Sequence, residues 1–121
     1  MKRLSKRESE LMGLFWKHGA MTVLELRAHM PHPQPHVSTV STQVRLLESN
    51  GFLDHIKEGG TFRYHAIISS EEYSNASIGR LVSHCFGNSY VDAVSALVKD
   101  EKISVQELKD MIGRIESQQS K

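Results

Sequence analysis

Apolar positions along this chain fall mostly three and four apart, with one short stretch of a different kind near the middle. Leu11, Leu14 and Phe15 or Trp16 form a first stripe, opened by Ser5-Lys-Arg-Glu8 and closed by Gly19. A Ser followed three residues later by a Glu can satisfy two orphan amides reciprocally, so the spacing predicts a helix start here. Thr22-Val-Leu-Glu25 repeats the signal, and Val23, Leu24 and Leu26 carry a second helix to about Met30. Pro31-His-Pro-Gln-Pro35 then holds all three prolines of the chain, which end that helix and stiffen the turn behind it.

The stretch from His36 to Asn50 organises the rest. Val37, Val40, Val44 and Leu47 give one buried stripe at helical spacing, and Gly51 closes it. At about 100° per residue, Ser38, Thr42, Arg45 and Ser49 fall on the opposite face, flanked by Thr39 and Ser41. Short hydroxyls around one Arg, rather than Glu/Lys pairs, let a helix backbone approach DNA closely. The plain alternative is a polar surface that happens to be Ser/Thr-rich, and the residues behind the helix decide between the two. Residues 53–66 hold two short runs of β-branched and aromatic residues around Gly59-Gly60, the pattern of a β-hairpin.

Three more helices are predicted behind the hairpin. Ser69 with Glu71 and Glu72 caps the first, whose apolar side is Ile78, Leu81, Val82 and Phe86 before Gly87-Asn88. Tyr90 to Lys99 holds Val91, Val94, Leu97 and Val98. Ser104-Val-Gln-Glu107 is a further capping box ahead of Val105, Leu108, Met111, Ile112 and Ile115. The expected architecture is mainly α with a small β-hairpin wing. A winged helix-turn-helix domain occupies residues 1–68, and a three-helix dimerisation segment occupies 69–121. The second segment is too small to bury its own apolar stripe, and a two-fold dimer is the common solution. Val94, Leu97, Val98, Leu108, Met111, Ile112 and Ile115 are the expected dimer contacts.

Charge sharpens the division. The net charge is +1, but residues 1–68 carry nine Lys/Arg against six Asp/Glu, or +3, while 69–121 carry six against eight, or −2. A basic front half and an acidic back half suit a DNA-facing part and a part facing something else. Helix 38–50 is the expected reader in the major groove, with the 53–66 wing beside it. Ser38, Thr39, Ser41, Thr42 and Arg45 on the helix and Lys57 and Arg63 on the wing are the expected DNA-binding residues. Thr42 and Arg45 are assigned to base edges; Lys57, Arg63, Ser38 and the Lys2–Arg7 segment are assigned to phosphates.

Other chemistries are weakly supported. His29, His32 and His36 lie within eight residues, but the prolines among them oppose a regular ligand geometry, and no Cys or carboxylate accompanies them. No metal or cofactor is expected. Cys85 and His84 are neighbours on a helix and point about 100° apart, so they make no base–nucleophile pair and no enzyme is expected. No apolar run exceeds three residues, the basic start lacks an apolar region behind it, and the single cysteine forms no internal disulfide. A cytoplasmic protein without membrane insertion is therefore expected. Two other functions remain open at this level: a ligand-sensing winged-helix regulator, and a winged-helix protein–protein adaptor.

The order of motifs resembles the BlaI/MecI/CopY family of penicillinase-type transcriptional repressors. The matching features are Leu-Ser-Lys-Arg-Glu at 4–8, Leu-Phe-Trp-Lys-His-Gly at 14–19, Thr-Val-Ser-Thr at 39–42 and Arg45. Gly51-Phe-Leu, Phe62-Arg-Tyr and Ile103-Ser-Val-Gln-Glu-Leu at 103–108 extend the likeness over almost the full chain. The resemblance implies a homodimer on palindromic operator DNA, with family contacts matching Thr39, Ser41, Thr42 and Arg45. Several relatives carry a basic residue where this chain has Ser41. In antibiotic-responsive members, inactivating proteolysis downstream of a membrane sensor or protease relay would correspond to Ala96–Leu97, although the Asn-Phe pair of relatives is absent. Copper-responsive members carry a C-terminal cysteine cluster that this sequence lacks, so copper sensing by that route is not expected.

Overall fold

Reciprocal hydrogen-bonded caps at Ser5/Glu8, Thr22/Glu25, Ser69/Glu72 and Ser104/Glu107 open four of the helices in the computed structural model, which describes residues 1–119. The chain divides into two compact units, Met1–Ser77 and the residues from Ile78 onward.

In the first unit, α1 (Lys6–His18) opens with Glu8 N–H donating to Ser5 Oγ at 3.2 Å and Ser5 N–H donating to the Glu8 carboxylate at 2.8 Å. It stops at Gly19, whose φ of 84° suits a residue without Cβ. Thr22 and Glu25 repeat the box at α2, which is only Val23–Ala28 and ends before Met30. The His29 and Met30 amides turn back onto Leu26 and Arg27 carbonyls there, so the predicted last turn is a tight closure instead. α3 (Val37–Ser49) starts with His36 as its N-cap, the imidazole Nδ1 accepting from Ser38 N–H at 3.1 Å.

Strands β1 (Leu53–Glu58) and β2 (Thr61–Ala66) pair antiparallel from Leu53↔Ala66 to Glu58↔Thr61. The two-residue loop between them begins at Gly59 with φ of 62°. Met21 adds one antiparallel bridge to Tyr64, with N–H···O distances of 2.9 and 2.8 Å, anchoring the hairpin to the α1–α2 connection.

The core lies between these elements: Leu11, Met12 and Phe15 of α1, Leu26 of α2, Val40, Val44 and Leu47 of α3, and Phe52, Leu53 and Tyr64 behind the hairpin. Met12, rather than Leu14, joins Leu11 and Phe15 in the fully covered stripe. Leu14 and Trp16 pack against its edge, and Trp16 Nε1 donates to the Ile68 carbonyl at 2.9 Å. The first turns of α4 (Ser70–Cys85) belong to this unit, because Tyr73 packs on Trp16 and Phe52 and accepts from Leu4 N–H at 2.9 Å.

The second unit holds the rest of α4, α5 (Tyr90–Lys99) and α6 (Val105–Gln119). Ser89 caps α5, and Ser104 with Glu107 forms the box at α6. Among its described residues Val82 is buried, while Ile78, Leu81, Tyr90, Val91, Val94, Leu97, Val105, Met111, Ile112 and Ile115 are exposed. Among the described residues, no helix is long and apolar enough to cross a membrane.

Candidate nucleic-acid interface

Burial of Val40, Val44 and Leu47 leaves the opposite side of α3 to Ser38, Thr39, Thr42 and Arg45, all exposed, with Ser49 at the end. The Thr42 hydroxyl donates to the Ser38 carbonyl at 2.9 Å, so it offers a partner acceptor lone pairs and a methyl group. Among the described residues Arg45 reaches only the Ser41 carbonyl, at a long 3.4 Å. Among the described residues it forms no ion pair, and its charge is available to a ligand. Leu46, which drew no functional assignment from the sequence, is 48% exposed on this same side. Apolar contact with a thymine methyl is the chemistry such a side chain offers DNA.

Ser41 is half-buried, because it sits on the flank of α3 that faces the hairpin. Strand alternation places His55, Lys57, Phe62 and Tyr64 on the hairpin face turned toward that flank. Between them lies a groove of about 460 Å³ lined by Val37, Ser41, Lys57, Thr61, Phe62 and Tyr64, with Val23 and Leu24 of α2 at its end. Lys57 is exposed there and forms no ion pair among the described residues.

Arg63 is placed differently. It lies on the outer hairpin face, paired with Glu58 and with Glu25 at 3.0 Å, and Nη1 also donates to the Ala20 carbonyl at 3.3 Å. The hydrogen bond to Glu58 raises the Arg63 pKa above its ordinary value against the opposing effect of desolvation, with Glu25 adding to the shift. Glu25 is itself held below the usual carboxylate value by its Thr22 hydrogen bonds and by Arg63. Arg63 therefore ties the α2 cap to the wing, and its charge is already partnered.

The inner face carries a second polar tie. His55 Nδ1 meets the Glu48 carboxylate at close hydrogen-bond contact, and the imidazole packs against Phe62 and Tyr64 at ring-centroid distances of 4.5 and 5.3 Å. Burial, and then the Glu48 charge, push the Tyr64 hydroxyl above its ordinary pKa, with Arg45 acting in the opposite direction. Asp54 completes a three-donor group with Glu48 and His55, although its Oδ1 accepts the His55 backbone N–H at 2.8 Å. His29 and His36 are used in other ways: His29 stacks on His18 at 3.8 Å, and His36 caps α3.

Of the expected dimer contacts, Val94, Leu97, Met111, Ile112 and Ile115 are exposed, while Val98 and Leu108 are half-buried. Val94, Val98 and Leu108 line an apolar groove of about 470 Å³ with Tyr90 and Val91. Ala96 is half-buried within α5, and Leu97 is exposed beside it.

Three helices and a hairpin packed on the flank of the third define a winged helix-turn-helix protein. The chain belongs to the penicillinase repressor family, whose model matches residues 4–117. It is 21% identical over 120 residues to the penicillinase repressor of Bacillus licheniformis, covering 98% of this chain and 94% of that protein. The solution structure of the DNA-binding domain of the repressor BlaI is 30% identical, with a TM-score of 0.52 over 60% of this chain and 94% of that one. The Bacillus licheniformis BlaI monomer in complex with the blaP half-operator is 29% identical, with a TM-score of 0.50 over 60% and 89%. This is a family of transcriptional repressors rather than enzymes, and the chain is a repressor of the winged-helix type.

Proposed function

We propose that this repressor acts as a homodimer on palindromic operator DNA, each subunit placing α3 in the major groove and the wing against the adjoining backbone. The observation that carries the reading is the outer face of α3. There Arg45, with no ion pair among the described residues, stands among Ser38, Thr39 and Thr42 beside the Lys57 wing. Arg45 reads a guanine edge, Thr42 an amino donor or a thymine methyl, and Ser38, Thr39 and Ser41 hold phosphates or adjoining base edges. Lys57 contacts the backbone; Arg63 serves it through the wing and reaches a phosphate only by exchanging a carboxylate partner. The likeness to BlaI bound to a half-operator supports this placement.

Residues 1–68 carry DNA binding and 69–121 carry dimerisation on this reading. The apolar faces of α5 and α6, with Leu97, Met111, Ile112 and Ile115 exposed, are what a second copy would cover. Relief of repression by a cut at Ala96–Leu97, delivered by an upstream sensor or protease relay, requires α5 to unwind locally, since both residues lie inside that helix.

The test is binding of the purified chain to labelled duplex from upstream of its own gene, against a scrambled duplex, at low and near-physiological salt. Binding that survives salt only on the native duplex, with two protected half-sites one helical turn apart or a multiple of it, is expected. Equal binding to both duplexes that vanishes with salt, there and on genomic fragments, would reduce the interaction to charge attraction and overturn the reading.

A further inference from the structure

We propose that Glu48 and His55 are positioning residues that hold the wing at its working distance from the reader helix, and so decide where Lys57 meets the DNA backbone. This rests on operator binding by α3 and the wing.

Glu48 is badly placed by local rules. It lies in the last turn of α3, where the helix dipole disfavours an anion, and on the flank of a helix that faces a polyanion. A side chain that violates local preference points to a tertiary reason, and the geometry supplies one. The Glu48 carboxylate meets His55 Nδ1 across the gap between α3 and β1. A carboxylate only accepts, so Nδ1 carries the proton. Phe62 and Tyr64 pack on the imidazole from β2, and Asp54 holds the His55 amide from β1, so the ring is fixed on the strand side of the contact.

Position along the hairpin gives the pair its leverage. Leu53 and Tyr64 are buried and Met21 bridges Tyr64, so the base of the wing is anchored by the core. Residues 57–62 are all exposed. His55 is thus the last inward-facing residue of β1 with a partner on α3, and Lys57 is the next inward-facing position, about 7 Å further along the strand. On the outer face, Arg63 ties the hairpin to α2 through Glu25, which leaves the inner spacing to the Glu48–His55 contact.

The full chain tests this with Glu48→Ala, Glu48→Gln and His55→Ala, each alone and combined with Lys57→Ala. Operator affinity in Glu48→Ala and His55→Ala is expected to fall about tenfold, with the salt slope reduced by about one, as for loss of one phosphate contact. Adding Lys57→Ala should then cost little more, because that contact is already gone. Glu48→Gln keeps a carbonyl acceptor for Nδ1–H and should restore affinity. Tighter or unchanged operator binding by Glu48→Ala, with an unchanged slope, would overturn the proposal and leave Glu48 as a repelling charge beside the DNA. Amide hydrogen exchange without DNA separates the two readings. Faster exchange in residues 53–62 of Glu48→Ala, with α1–α3 unaltered, supports the tie even if the wild-type chain bound no operator. Unaltered exchange there would overturn it while leaving operator binding intact.

Discussion

Arg45 and Arg63 have the same side chain and both lie in the first unit, yet their surroundings give them different work. Arg45 stands on an exposed helix face with one long backbone contact and no carboxylate partner among the described residues. Arg63 is neutralised on the spot by Glu58 and Glu25. Spacing shows which face a residue occupies but not whether a distant carboxylate reaches it. Arg45→Ala is therefore expected to weaken operator binding by about 1–3 kcal/mol and to relax preference at one base per half-site. Binding to a set of single-base operator variants checks this. A loss equal across all variants would restrict Arg45 to phosphate.

At the scale of elements, reciprocal capping recurs at Ser5/Glu8, Thr22/Glu25, Ser69/Glu72 and Ser104/Glu107. Three of these were legible as boxes in the sequence, and at Ser69 the hydroxyl cap was, because an i to i+3 contact is written into neighbouring residues. Ser5→Ala removes the acceptor for Glu8 N–H and should cost about 1 kcal/mol in urea unfolding. The backbone hydrogen bond from Ser5 holds the Glu8 carboxyl below its usual value of 4.5, the Thr22 bonds do so for Glu25, and the Ser104 bonds for Glu107. For a depressed carboxyl the stabilisation is present above the unfolded-state pKa and lost as pH falls through the folded-state pKa. Stability should accordingly decline below about pH 4.5, and Glu8→Gln, which removes one of these carboxyls, should flatten part of that decline. Urea midpoints measured from pH 7 down to pH 3 would show it; a decline identical in Glu8→Gln would discount the cap. His36, the N-cap of α3, is not legible as a cap in the sequence because imidazole is not among the preferred cap side chains.

For the whole molecule, the two units bury their apolar residues to very different degrees. The first covers a continuous core from Leu4 to Tyr64, whereas the second leaves Val91 78% and Ile112 47% exposed. Exposed apolar surface on that scale marks an interaction face, which is the basis of the dimer proposal. Ile112→Asp is expected to shift the chain from dimer to monomer in sedimentation and to lower operator affinity, while binding to a single half-site persists. A wild-type chain that sediments as a monomer at the concentrations where it footprints both half-sites would sink the dimer.

The sequence alone determined the elements and their faces. Helix caps, the proline-rich turn, the Gly59-Gly60 hairpin and the Ser/Thr/Arg side of α3 all arise from contacts among residues close in the chain, where period and side-chain type are sufficient. Tertiary structure alone decided which charges are spent and which remain. The Met21–Tyr64 bridge, the Arg63–Glu25 pair and the Glu48–His55 contact join separate elements, and no periodicity encodes them. Whether a cation is free to meet DNA depends on the partners that packing brings to it.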